Sequence, residues 1–174
     1  DLWKKHDKAI KNFKIIDAKP EYSLLDLKIQ LASRIFRKCY FCERRCGVDR
    51  MKKSGNCGVK ESKISSEFLH MGEESVLVPS HTIFFMGCPF KCQFCQNWEI
   101  SQAYPEDVYN YDLPPEMMVT KAKEVGARSV AYTYVEPTIF YEYMIDICHL
   151  VKKEGLLNVY HSNGFINPEP LRNL

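Results

Sequence analysis

No stretch of this chain approaches the ~18 consecutive apolar residues a membrane-spanning helix needs. The start, Asp1-Leu2-Trp3-Lys4-Lys5, is polar and lysine-rich where a secretory leader would place its apolar region. Both absences lead us to expect a cytoplasmic protein without a membrane partner. Charge of one sign is missing too: 24 Lys and Arg against 22 Asp and Glu leave a formal net charge of +2. With no basic patch interleaved with aromatics, the sequence argues against a nucleic-acid partner. The cysteines show a further gap. Cys88, Cys92 and Cys95 form a C-x3-C-x2-C run, and no fourth cysteine follows at close spacing.

At 174 residues and 45% hydrophobic, the chain can bury a real core, and one domain with a small appendage is the expected count. Seven of the eight cysteines fall into two groups, which in a reducing compartment reads as metal chemistry rather than a disulfide framework. In the first group Cys39, Cys42 and Cys46 are followed, ten residues further on, by Cys57 in the turn-prone context Ser54-Gly55-Asn56-Cys57-Gly58. Four sulfurs opening with C-x2-C suit either a tetrahedral zinc site or a second iron-sulfur cluster, and spacing alone leaves both open. The second group offers three thiolates. Ferredoxin-type clusters use four, so three leave one iron free for a substrate or cofactor. A closed zinc or cluster site borrowing a distant ligand is the plainer alternative.

Ser23-Leu24-Leu25-Asp26 has the form of a capping box, and Leu24, Leu27, Leu31, Ala32 and Ile35 recur at helical spacing, so a helix should run up to the first cysteine group. Residues 64 to 80 read as two short extended pieces, Ile64 to Leu69 and Val76 to Val78. From residue 81 onward strand and helix alternate. Strands are expected at about Thr82 to Met86, through Val130, Tyr132 and Tyr134, and at Asn158 to Ser162. Between them, Pro114-Pro115-Glu116 opens a helix with Met118, Ala122 and Val125 on one face. Pro137 opens another, with Phe140, Met144, Ile147 and Val151 as its stripe, and Pro168 to Leu171 begins a third. This is an α/β pattern, with the boundary between an N-terminal helical and cysteine-rich segment (1–80) and the α/β part (81–174) at residue 80. His70 with Glu73 and Glu74 reads as a polar turn, His81 as a weak acid-base candidate, and Cys148 as a core thiol. His6 and His149 offer no constellation.

Cys88, Cys92 and Cys95 at this spacing, with the aromatic Phe94 before the third cysteine, resemble the radical S-adenosylmethionine (SAM) superfamily. The run Tyr132 to Glu142, containing Glu136-Pro137, and the segment Gln96-Asn97-Trp98-Glu99 resemble its subgroup related to pyruvate formate-lyase activating enzyme. So does Cys46-Gly47-Val48-Asp49-Arg50 in the first cysteine group. The chain departs from the family pattern at Tyr134-Val135, where two glycines usually precede Glu-Pro. It departs again at His161-Ser162-Asn163-Gly164, where activating enzymes often carry Asp-Thr-Asn-Gly.

The resemblance implies a partial parallel β/α barrel and a 4Fe-4S cluster on Cys88, Cys92 and Cys95. It also implies SAM contacts from Phe94, Gln96, Asn97, Glu136, Ser162 and Asn163. The implied activity is that of an oxidoreductase: reductive cleavage of SAM to methionine and a 5′-deoxyadenosyl radical that abstracts hydrogen. Implied partners are a low-potential ferredoxin- or flavodoxin-type donor and a glycyl-radical protein as substrate. A zinc ion or second cluster at Cys39, Cys42, Cys46 and Cys57 remains open. Two other classes stand beside this reading, an iron-sulfur electron carrier and a zinc-binding interaction module. A (β/α)8 barrel of ~250 residues spends ~30 on each unit, so residues 81–174 hold about three, where six are usual for the family. The expectation is a fragment with weak SAM binding by itself.

Overall fold

The structure is a computed structural model that describes residues 1–12, 14 and 20–174. The capping box forms as the sequence predicts. Ser23 N donates to Asp26 Oδ2 at 2.7 Å and Asp26 N donates to Ser23 Oγ at 3.3 Å, which satisfies two N–H groups that a helix start leaves open. The helix that follows, α2 (Leu24–Arg37), buries Leu31, Ala32 and Ile35. Before it lies α1 (Leu2–Lys11), not anticipated from sequence, capped by Asp1 and packed on α2.

Four strands make one sheet in the order β1 (Ile64–His70), β2 (Ser80–Phe85), β3 (Ser129–Thr133), β4 (Leu157–Tyr160). β1 runs antiparallel to β2, from Ile64 opposite Phe85 to His70 opposite Ser80, with a register shift between Ile64 and Ser66. β2, β3 and β4 are parallel. β1 lies before residue 80 and β2 begins at it, so the segments on either side of the expected boundary share this sheet. Parallel strands need helical crossovers, here α4 (Pro115–Glu124) after β2 and α5 (Tyr141–Lys153) after β3, with α3 (Trp98–Ser101) and α6 (Pro168–Asn173) as short additions. β3 is buried along its whole length, as a strand covered on both faces must be. Phe85 stacks on Phe140 at 4.4 Å and Phe41 on Tyr141 at 4.8 Å, joining sheet, α5 and the cysteine-rich segment in one core.

The structure corrects four expectations. Val76 to Val78 is a turn, with Leu77 N donating to Glu74 O at 2.8 Å, and forms no strand. Val125 follows the helical period but caps α4 and is exposed, because Gly126 at φ +68° reverses the chain; the buried stripe is Met118, Val119 and Ala122. β4 stops at Tyr160, short of Ser162. Tyr134 lies outside β3 at φ +65°, a region that costs a non-glycine residue about 1 kcal/mol or more. Its ring stacks on Phe84 at 3.9 Å and 9°, which offsets part of that cost. Tyr134 thus takes a backbone conformation suited to glycine at a position where the family pattern has one.

Candidate metal and cofactor site

The C-terminal ends of β2, β3 and β4 point the same way, and parallel α/β folds build their sites at such an edge. From β2 the chain passes through Gly87 into the Cys88–Cys95 loop. Gly87 has φ +78°, and a Cβ there would stand 2.5 Å from the carbonyl oxygen of Cys57 and 2.8 Å from Val59 Cγ1, so only glycine fits. The loop is pinned at several points: Gly87 N to Ile100 O (2.8 Å), Gln102 Nε2 to Phe90 O (3.1 Å), and the Phe90 ring against Phe165 (4.6 Å). Cys88 is buried, Cys95 half-buried beside Ser101 Oγ (3.3 Å), and Cys92 exposed. Burial pushes the Cys88 thiol up, while backbone N–H groups of Phe90 and Glu136 at its sulfur act the other way and favour the thiolate.

From β3 comes Glu136, fully buried and well partnered. Its Oε1 accepts from Thr138 Oγ1 (2.6 Å) and Ser162 Oγ (2.6 Å), with Thr138 N at 3.4 Å, and its Oε2 accepts from Asn163 N (2.9 Å). The carboxylate therefore ties the end of β3 to the segment after β4, and its amide N–H reaches Cys88 at the end of β2. The structure brings Cys88, Glu136, Ser162 and Asn163 together. Phe94 stands on the same loop as the cysteines but is 88% exposed, with its ring unpacked. Gln96 is exposed, and the Asn97 carbonyl accepts from Ile100 N (3.2 Å) and Ser101 N (2.9 Å) to start α3. Trp98 is exposed.

Cys39, Cys42, Cys46 and Cys57 line one small cavity. Cys39 N donates to Val48 O and Gly47 N to Cys39 O, both at 2.8 Å, folding the segment back on itself. Burial pushes the Cys39 thiol up to about 12 and raises that of Cys42, opposed by backbone N–H groups of Phe41 at Cys39 and Arg44 at Cys42. Buried Asn167 clamps this segment from the far end of the chain. Its Nδ2 donates to Tyr40 O (2.6 Å) and Cys42 O (2.7 Å), and its N to Phe41 O (2.9 Å). Among the described residues no three His, Cys, Asp or Glu side chains are already drawn together closely enough to hold a metal ion. The donor sets still fit soft thiolate-binding metals: seven free sulfurs in two groups, with thiolate-favouring N–H donors at Cys39, Cys42 and Cys88.

One polar cluster escaped the sequence reading. His81 Nε2 lies 2.5 Å from Glu67 Oε2, and Lys121 donates to Glu67 Oε1. Alternation on β1 and helical period on α4 place Glu67 and Lys121 individually, but only the tertiary fold brings them together with His81. His70 pairs with Glu73 at 3.4 Å in a turn, and Cys148 is half-buried at the edge of the core. No described helix is long and apolar enough to cross a membrane.

Comparison with known proteins follows the same residues. The model of the Radical SAM superfamily matches residues 82–174, more than half of the chain. Two proteins of Methanocaldococcus jannaschii are similar to it: "Uncharacterized protein MJ0674", 48% identical over 151 residues, and "Uncharacterized protein MJ0808", 31% identical over 154. Each alignment covers 79% of this chain but only 44% and 46% of the relative, so the chain spans less than half the length of these curated relatives. No solved structure matches.

Proposed function

The chain belongs to the radical SAM superfamily, and from that premise we propose that Cys88, Cys92 and Cys95 hold a 4Fe-4S cluster in an enzyme that cleaves SAM reductively. Held by these three thiolates, the cluster would supply the single-electron reduction that cleavage of SAM at its sulfonium sulfur requires. The residues of this chain prepare the site. Gly87 lets the loop leave β2 at the required angle, and the N–H groups of Phe90 and Glu136 favour the Cys88 thiolate. Glu136 holds Thr138, Ser162 and Asn163 in place through its carboxylate. SAM contacts are assigned to Phe94, Gln96, Asn97, Glu136, Ser162 and Asn163. The three parallel strands and their helices are read as units of a β/α barrel of the radical SAM type.

The observation that carries this reading is the joining of three strand ends in one network. Cys88 after β2, Glu136 after β3 and Asn163 after β4 are linked through backbone N–H donors and one carboxylate. A low-potential ferredoxin- or flavodoxin-type protein would deliver the electron at the exposed Cys92 side of the loop. A glycyl-radical protein is the proposed hydrogen donor, resting on the resemblance of residues 132–142 to activating enzymes.

Anaerobic reconstitution with iron and sulfide, then electron paramagnetic resonance of the reduced chain at saturating SAM, tests the proposal. The expected result is a reduced-cluster signal that SAM shifts and that Cys88→Ala abolishes. A signal indifferent to SAM, or persisting in Cys88→Ala, would overturn it.

A further inference from the structure

Arg50 is 1% exposed, yet its guanidinium is only partly satisfied. Nη1 donates to Ile139 O at 2.7 Å and lies 3.4 Å from Glu142 Oε2, the group stacks over the Phe36 ring at 4.7 Å, and Nε and Nη2 have no partner. Glu142 supplies one ion pair, but the two unpaired N–H groups of a buried cation remain unfavourable unless a further acceptor faces them. The cavity beside it is lined by Cys39, Cys42, Cys46 and Cys57, with Arg44 and Arg50 both on its wall. As neutral thiols these four groups offer Arg50 no charge. As thiolates around a divalent ion they carry a net charge of −2, and the two guanidinium groups on the wall face that charge.

We propose that Cys39, Cys42, Cys46 and Cys57 close around a single divalent ion of the zinc class, balanced by Arg44 and Arg50, and that this centre braces the Cys88–Cys95 loop. Binding releases the four thiol protons to solvent and involves no redox step. The cavity is small and four sulfurs line it, the donor number of a tetrahedral structural zinc site. Backbone N–H groups of Phe41 and Arg44 already face the sulfurs of Cys39 and Cys42. The brace is visible in two contacts: the Cys57 carbonyl lies against Gly87, and Arg44 Nε and Nη2 donate to Pro89 O. The site uses none of the cluster cysteines, so it stands or falls separately from the radical SAM reading.

The test uses the full chain carrying Cys88→Ala, Cys92→Ala and Cys95→Ala, purified anaerobically and loaded with zinc or cobalt(II). The expected result is one zinc retained per chain through gel filtration, with thiolate-to-metal charge-transfer and tetrahedral d–d bands for cobalt. Adding Arg50→Met should raise zinc loss to a competing chelator about tenfold, and Cys42→Ser should raise it further. If Cys42→Ser does not fold, the stoichiometry and cobalt spectrum of the parent decide. No retained metal in a chain with native circular dichroism, iron and sulfide in fours at these cysteines, or retention indifferent to Cys42→Ser in a folded chain would overturn the site. Bracing is read by hydrogen exchange of residues 88–95 in the same chain lacking the three loop cysteines, which zinc should slow; unchanged exchange would overturn that part.

Discussion

Arg44 donates through both Nε and Nη2 to the carbonyl oxygen of Pro89, at 3.1 and 2.9 Å. The donor sits between Cys42 and Cys46 of one cysteine group and the acceptor between Cys88 and Cys92 of the other. One exposed guanidinium therefore bridges two groups that the sequence keeps apart. Arg44→Ala should cost about 1 kcal/mol in urea unfolding, since the bonds are charge-assisted but solvent-exposed, and should lower cluster occupancy after reconstitution. Equal occupancy in variant and wild type would show that the bridge does not support the loop.

Glu136→Gln tests the network at the strand ends. The amide keeps the shape but loses the charge and one acceptor, so Ser162 Oγ and Asn163 N cannot both keep their present partners. A loss of about 2 kcal/mol in denaturant unfolding is expected, together with a weaker SAM-induced change in the reduced-cluster spectrum. Wild-type stability would mean that solvent readily replaces the carboxylate.

Gly87→Ala forces a Cβ to within 2.5 Å of Cys57 O at a positive φ. Both the close approach and the dihedral penalise it, and destabilisation of about 2–3 kcal/mol is expected. A variant within 0.5 kcal/mol of wild type, a rough bound for innocuous changes, would contradict the packing of the loop on the Cys57 segment.

Acid should weaken the fold through His81 and Glu67. Burial holds the His81 imidazole below its ordinary 6.5, with Lys121 acting in the same direction and Glu67 against it. Its neutral form is favoured in the folded chain, and stability is lost as pH falls below about 6.5. Burial pushes Glu67 up, but Lys121 and His81 together outweigh it and hold its carboxyl below 4.5, so its contribution is present above that value and is lost at lower pH. Burial raises the carboxyls of Glu142 and Asp146, which act in the opposite sense, their contribution fading as pH rises through the acid range. The urea midpoint of the wild type should fall between pH 7 and 5, and His81→Gln should flatten that slope. An identical slope in the variant would exclude His81 as its origin.

The elements most legible in the sequence rest on contacts between near neighbours in the chain. The capping box at Ser23 and Asp26 formed as read, because both partners lie within one helical turn. The stripe Phe140, Met144, Ile147 and Val151 is buried as its period requires. The period failed at Val125, where the positive φ of Gly126 ended the pattern, and at Tyr134, where strand alternation continued into a residue that leaves the sheet. In both cases local backbone geometry overrode a side-chain pattern.

The sequence by itself determined the chemistry on offer: three closely spaced thiols on the loop after a strand, four more in an earlier group, and a Glu-Pro at the next strand end. These are properties of residue type and spacing, and they survive any packing of the chain. Only the tertiary structure decided what meets what. Glu136 reaches Ser162 and Asn163 because β3 and β4 pair in parallel. Arg50 reaches Ile139 because the segment after α2 packs against the turn that opens α5. Those contacts join residues far apart in the chain, and no local pattern encodes them. They arise when the sheet and its helices bury their shared core.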